Sequence, residues 1–233
     1  MFLQENVAFG KKIVTLYPRF QNMLTFTNLS IGYGTKTVAS GLSGTLEKGT
    51  FTALVGRNGS GKSTLLRTLA GLQEPLAGEI ILNEKNLKDY SSKELARQRA
   101  VVLTHVEEVA ALTVRQMVET GRTPYTNLTG KLSEEDDNIV RKSLEITELE
   151  NLADTPLTHL SDGQRQRAFI AVALAQTTPM LFLDEPSAYL DYESRETLYI
   201  LLKRLAEVEG KCILCSTHDL DAVRKISGNV FEI

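Results

Sequence analysis

The chain has 233 residues, of which 42% are apolar and 24% charged, and its formal net charge is −3. That length allows one sizeable core without disulfides, and that composition excludes a disordered chain. No apolar run approaches the roughly 18 residues of a transmembrane helix, and the acidic balance argues against a broad nucleic-acid surface.

Residues 1–22 carry Glu5, Lys11, Lys12 and Arg19 and show no periodicity. They lack the apolar core and small-residue cleavage site of a secretory signal, so the chain is expected in the cytoplasm, with its domain beginning at Met23. Residues 24–55 read as short strands with turns at Gly32, Gly34, Gly41, Gly44 and Gly49. A helix over 61–70 and a strand over 78–83 follow. From about 90 to 155 the character turns helical: Ser91 and Ser92 cap one helix, Thr113 to Gly121 forms another, and Ser133 to Thr147 has acids in its first turn and bases later, as the helix dipole favours. The remainder alternates helix 162–176, strand 180–184, helix 193–208, strand 211–217, helix 219–226 and a short final strand. Such alternation implies an α/β fold in which crossover helices join parallel strands, with a core of 23–89 and 156–233 and a helical insertion between them.

The run from Gly56 to Thr64 joins the apolar stretch Phe51 to Val55 to the first helix, and Gly56 followed after four residues by Gly61-Lys62-Ser63 fits a phosphate-binding loop. Gly59 and Gly61 let the backbone turn tightly, so that successive N–H groups converge on phosphate oxygens at a helix start. Lys62 supplies a point charge to the β and γ phosphates and the Ser63 hydroxyl can ligate Mg²⁺, while Asn58, Ser60 and Thr64 complete the loop. The strand Met180 to Asp184 ends in two adjacent carboxylates; Asp184 is the candidate Mg²⁺ residue and Glu185 the candidate general base. Ser161 stands where a helix N-cap belongs, ahead of Gly163 and Gln164, and gives the chain a second anion-binding helix start. Cys212 and Cys215 lie in a β-prone apolar run that points them to opposite faces, which favours two buried hydrophobes over a redox or metal pair. The three histidines, His105, His159 and His218, are too widely spread for a local metal motif.

The phosphate loop, Leu160-Ser161-Asp162-Gly163-Gln164, the Asp184-Glu185-Pro186 strand end, Ser187 to Asp191, and His218 occur in the order seen in ATP-binding-cassette (ABC) ATPase domains. The chain resembles that family over about 23–233. The resemblance implies a P-loop NTPase core of RecA type, with an N-terminal antiparallel β subdomain and an α-helical insertion. It implies that ATP and Mg²⁺ bind at the loop, that Tyr33 stacks on adenine, that His218 touches the γ-phosphate, and that Ser161, Gly163 and Gln164 close over that phosphate from a second copy of the chain. Asp191 matches the loop that crosses between the two copies. Thr113 to Asn127, with its Gly121-Arg122-x-Pro124-Tyr125 segment, resembles the subunits that power importers of iron-siderophore, haem or vitamin B12 chelates. The partners implied are transmembrane permease subunits and a periplasmic or surface binding protein, with this chain peripheral on the inner face of the membrane and no nucleic acid bound. A soluble ABC ATPase acting as a mechanical or regulatory module, or a weakly hydrolysing scaffold, stays open as an alternative.

Two positions depart from the family pattern. His105 stands where a glutamine usually senses Mg²⁺, and Asp162 replaces the usual glycine of the second motif. A neutral imidazole can hydrogen-bond but a protonated one repels Mg²⁺, whereas an acid in the first turn of a helix suits its dipole, so Asp162 is expected to matter little. Slower or more pH-sensitive turnover is expected from His105. The His105→Gln variant is accordingly predicted to flatten the pH profile of ATP hydrolysis, and an unchanged profile would refute the assignment.

Overall fold

A computed structural model describes residues 22–103, 112–126, 130–219 and 229–233; the N-terminal extension save its last residue Asn22, His105, and the expected helix over 219–226 save its first residue Asp219 lie outside them. Among the described residues the chain forms two sheets. Strands β1 (Asn22–Tyr33), β2 (Lys36–Glu47), β4 (Ala77–Leu82) and β5 (Lys85–Asn86) make an antiparallel sheet in the order β2-β1-β4-β5. The second sheet comprises β3 (Phe51–Val55), β6 (Arg99–Val102), β7 (Met180–Asp184), β8 (Cys212–Ser216) and β9 (Asn229–Glu232). It is parallel throughout, in the order β6-β7-β8-β3-β9.

Strands β3, β7 and β8 are buried at every position, which is why they read as unbroken apolar runs. Their alternate residues feed two separate cores. Phe51, Ala53, Leu181, Leu183, Ile213 and Cys215 pack with Leu198, Leu202 and Leu205 of α6 (Tyr192–Glu207) and with Ile170 of α5 (Asp162–Ala175). On the opposite face Leu54, Met180, Phe182, Cys212 and Leu214 pack with α1 (Lys62–Leu69) and with Leu24, Phe26, Leu29 and Ile31 of the antiparallel sheet. The two cysteines therefore lie on opposite faces, both free, and burial pushes the Cys212 thiol up to about 12 and the Cys215 thiol higher still.

Three of the expected turn glycines are instead inside long strands. Gly32 and Gly44 pair with Thr37 and Phe26, and Gly41 sits with φ of 71° at a register shift between β1 and β2, where a bulge accommodates an extra residue. Only Gly34 and Gly49 occupy turns. At Gly44 a Cβ would fall 2.7 Å from the ring of Phe26, so the glycine makes room for an aromatic pair between Phe26 and Phe231 rather than for a change of direction. The stretch from 90 to 155 also contributes β6 to the parallel sheet, where Arg99 to Val102 pair with Met180 to Leu183. Four residues are too few for a period to show in the sequence.

Helices α2 (Ser92–Gln98), α3 (Val114–Glu119), α4 (Glu134–Ile146) and α5 each begin with a reciprocal capping box, at Ser91, Thr113, Ser133 and Ser161. A third core joins α3, α4 and α5 through Val114, Val118, Val140, Leu144, Ala168, Ala171 and Ala175. Thus α5 is apolar on two sides: Ala168, Ala171 and Ala175 face the helices, and Ile170 and Leu174 face the sheet. The Gly121-Arg122-x-Pro124-Tyr125 segment ties this arrangement together. Arg122 is buried, and its guanidinium donates to Asp136 Oδ1 at 2.8 Å, to the Ala175 carbonyl that ends α5 at 2.7 Å, and to Thr177 Oγ1 at 3.0 Å. Tyr125 covers the guanidinium at 4.2 Å and donates to the Gln176 carbonyl at 3.0 Å.

Removing one member of a buried ion pair strands the other charge. Arg122→Met is expected to destabilise the fold by about 3 to 5 kcal/mol in urea denaturation, and a loss below about 1 kcal/mol would contradict the pair's structural role. The backbone N–H and hydroxyl of Ser133, with Arg122 beside them, hold the Asp136 carboxyl at about 2, below its ordinary 3.8. A carboxylate with a depressed folded value stabilises fully above the ordinary value and loses that contribution as pH falls towards the folded one. Stability is therefore predicted to drop between about pH 4 and pH 2, and to drop less in Asp136→Asn.

Candidate functional site

Strands β3, β7 and β8 end side by side at the carboxyl edge of the parallel sheet, where ligands bind in open α/β folds. The loop Gly56–Gly61 leaves β3 and feeds directly into α1. A Cβ on Gly56 would fall 2.2 Å from the Ile233 carbonyl oxygen, and Gly61 caps α1 with φ of 109°, its would-be Cβ 2.7 Å from Val38. Both positions admit only glycine. Lys62 is buried and folds back over the loop, donating to the carbonyls of Gly56 at 3.0 Å and Arg57 at 3.1 Å. Ser60 Oγ is buried with no hydrogen-bond partner among the described residues. An ammonium, an unpartnered hydroxyl and a glycine cradle at a helix start form a donor set suited to phosphate oxygens.

Asp184 ends β7 and is buried; its Oδ1 accepts from Ser63 Oγ at 2.9 Å and from Ser216 Oγ at 2.7 Å. A hydroxyl beside a carboxylate next to a phosphate loop suits a hard divalent cation such as Mg²⁺. Glu185 follows with φ of 46°, a left-handed conformation that costs a non-glycine residue about 1 kcal/mol or more. Its N–H is held by Ser216, at 2.9 Å to Oγ and 3.2 Å to the carbonyl oxygen. His218 Nδ1 lies 3.7 Å from Glu185 Oε2. Tyr33 is 54% exposed at the rim, with its hydroxyl 3.2 Å from Thr64 Oγ1. Tyr33, Asn58, Gly59, Gly61, Lys62, Ser63, Thr64 and Glu185 line one cleft of about 460 Å³.

Ser161, Gly163, Gln164 and Asp191 are placed elsewhere and do not line that cleft. Ser161 caps α5: its Oγ accepts from the Gln164 N–H at 3.2 Å, and its own N–H donates to Gln164 Oε1 at 3.0 Å. Gly163 faces the first turn of α6, where a Cβ would lie 3.1 Å from Ser194 Oγ. Asp162 is exposed and pairs with Arg165 at 3.3 Å. Asp191 caps α6 by accepting from the Ser194 N–H at 2.8 Å, which holds its carboxyl below the usual range. Sequence reasoning missed Ser216, whose hydroxyl contacts both acidic residues. Its only signal is that it is the sole polar residue of β8, directly across the ladder from Asp184.

The family model for the ABC transporter matches residues 39–188. The chain belongs to the ABC transporter ATPase family. It is 39% identical to the iron(3+)-hydroxamate import ATP-binding protein FhuC of Bacillus subtilis, over 88% of this chain and 77% of that protein. It is 38% identical to the ferric enterobactin transport ATP-binding protein FepC of Escherichia coli, over 88% and 76%. Among solved structures it superposes on the dimeric post-hydrolysis state of the ABC cassette MJ0796, bound to ADP and Pi, with a TM-score of 0.78 and 27% identity, over 91% of this chain and 94% of that one. The ATP-binding proteins of this family are ATP hydrolases that drive transport, and this ABC ATPase is one of them.

A hydrogen bond to an ionised group is worth about 1.5–3 kcal/mol. Ser216→Ala in this ABC ATPase is predicted to lower ATP turnover about tenfold and to raise the Mg²⁺ concentration needed for half-maximal rate; wild-type turnover at limiting Mg²⁺ would contradict the role given to its hydroxyl.

Proposed function

We propose that this ABC ATPase is the motor subunit of an importer of iron chelates, siderophore or haem, or of cobalamin. In this reading two copies enclose ATP between them and drive a transmembrane permease from the inner face of the membrane. A periplasmic or surface binding protein would deliver the ligand. The placement of the two helix starts supports the paired arrangement: α1 opens onto the cleft, whereas the Ser161 start of α5 lies outside the cleft's lining. A second copy, turned head to tail, brings its own Ser161, Gly163 and Gln164 to the missing side. The names of the relatives, both iron-chelate import or transport proteins, support the class of cargo.

Hydrolysis is a phosphoryl transfer to water, so the protein's task is positioning and charge stabilisation. Bound Mg²⁺ supplies charge neutralisation on the phosphate oxygens. Lys62 swings from the carbonyls of Gly56 and Arg57 to the β and γ phosphates, and Ser63 and Asp184 hold the metal side. Glu185 takes the proton of the attacking water as the bond to the γ-phosphorus forms and the bond to the leaving ADP oxygen breaks. His218 steadies the γ-phosphate, Tyr33 stacks on the adenine, and Asp191 sits where the two copies meet. The helical unit built by α3, α4 and α5 carries the movement to the permease.

Two measurements test this. Glu185→Gln is predicted to retain ATP binding and to lose at least about a hundredfold in turnover, the lower end of general-base contributions; substantial steady-state hydrolysis by that variant removes Glu185 from the role. Turnover measured with and without a permease co-purified from the same system tests the motor assignment. Stimulation by the permease supports it, and stimulation by a soluble partner alone favours a mechanical or regulatory module.

A further inference from the structure

Two loops leave the carboxyl ends of β7 and β8: residues 185–191, which end at Asp191, and residues 217–219, which carry His218. Beyond Ser216, two side chains one turn apart on α6 bridge these loops. Tyr199 is only 2% exposed, and its hydroxyl lies 3.0 Å from Ser187 Oγ in the first loop and 2.8 Å from Thr217 Oγ1 in the second. Thr217 Oγ1 in turn accepts from the Asp219 N–H at 3.0 Å, so the chain of hydrogen bonds brackets His218 on both sides. Four residues before Tyr199, Arg195 donates to the Leu190 carbonyl at 3.1 Å and to Asp219 Oδ2 at 3.1 Å. Both bridges thus run from the same first loop to the same second loop.

Core packing does not require a hydroxyl at this position. The Tyr199 ring meets Phe51 edge to face at 6.5 Å among apolar residues, and a phenylalanine would make that contact equally well. A buried phenol must be hydrogen-bonded, and here both of its partners are side-chain hydroxyls on two different loops rather than fixed backbone. Burial pushes the Tyr199 hydroxyl up to about 12, so it keeps its proton and can donate to one loop while accepting from the other. Each bond in such a chain polarises the next, so a displacement at Ser187 is felt at Thr217.

We propose that Tyr199, backed by Arg195, is a positioning residue that sets His218 according to the position of the loop carrying Leu190 and Asp191. This rests on the reading above, in which that loop meets the second copy and His218 faces the γ-phosphate. Contact between the copies is then relayed inside one chain, through α6, to the residue that steadies the reacting phosphate. Subunit pairing and turnover are coupled by two side chains that do not line the cleft.

Tyr199→Phe keeps the ring and removes the relay. It is predicted to lower kcat five- to tenfold with KM for ATP within about twofold, the signature of an effect on the reacting state rather than on binding. Ser187→Ala breaks the same bond, so it should have a similar effect, and the double variant should be no worse than either single one. In histidine-labelled protein the ring signals of His218 should move in Tyr199→Phe while those of His159 stay in place. Wild-type kcat in Tyr199→Phe, or a lowered kcat with an unmoved His218 signal, overturns the proposal. Multiplicative loss in the double variant also overturns it. His218→Ala turning over at the wild-type rate would instead remove the assignment of His218 in the reading above, and a His218 signal that still moves in Tyr199→Phe would locate the failure there rather than in the relay.

Discussion

The carboxylate of Asp184 is the point on which the site depends. One oxygen accepts hydrogen bonds from Ser63, at the start of α1, and from Ser216, at the end of β8, so three stretches of chain distant in sequence are fixed within about 3 Å of one atom. A buried carboxylate is tolerable only with such partners. The register of the parallel sheet provides them: Asp184 lies opposite Ser216, and Ser216 lies opposite Leu54, one residue before the strand that feeds the phosphate loop ends. A slip of one residue in any of these ladders would turn the polar residues towards the wrong core. The same register places Glu185 beyond the strand end, in a left-handed conformation that Ser216 holds from two sides.

Helix α5 joins this rigid edge to the rest of the chain. Its alanine face belongs to the helical core and its isoleucine and leucine face to the sheet, while Arg122 closes its carboxyl end against Asp136. At its amino end Ser161, Gly163 and Gln164 do not line the cleft, and Gly163 lies against Ser194 in the first turn of α6. On the proposed reading, one helix therefore carries the surface that completes a neighbour's site and the scaffold that passes its movement on. The exposed pairing of Asp162 with Arg165 suits such a surface, because the acid sits where the helix dipole favours it.

Much of this arrangement is legible in the sequence, for physical reasons. Strand β7 is readable to the residue because both its faces are buried, and α1 is readable because a glycine at its start leaves few alternatives. Serine and threonine caps announce α2, α3, α4 and α5. Misread elements are those whose cause lies elsewhere in the fold. Gly44 looks like a turn until Phe26 and Phe231 are placed beside it, and β6 is a four-residue strand that only the ladder with β7 makes visible. Arg122 reads as part of a subfamily motif, and its partners show that the motif is a latch between helices. Tyr199 and Arg195 carry no local pattern, since their meaning lies in which two loops they join, and Ser216 offers only its polarity at the end of an apolar strand.

Whether each ATP site is shared between two chains is tested most directly by mixing two defective proteins. Lys62→Ala disables the phosphate loop, and Ser161→Arg disables the start of α5. If the site is composite, each variant alone is inactive, but a mixed pair contains one undamaged site formed by the intact loop of one chain and the intact helix start of the other. With random exchange of subunits, roughly a quarter of wild-type ATPase activity should return on mixing. A mixture as inactive as its components, or full activity in Ser161→Arg by itself, would show that each chain hydrolyses ATP without its neighbour.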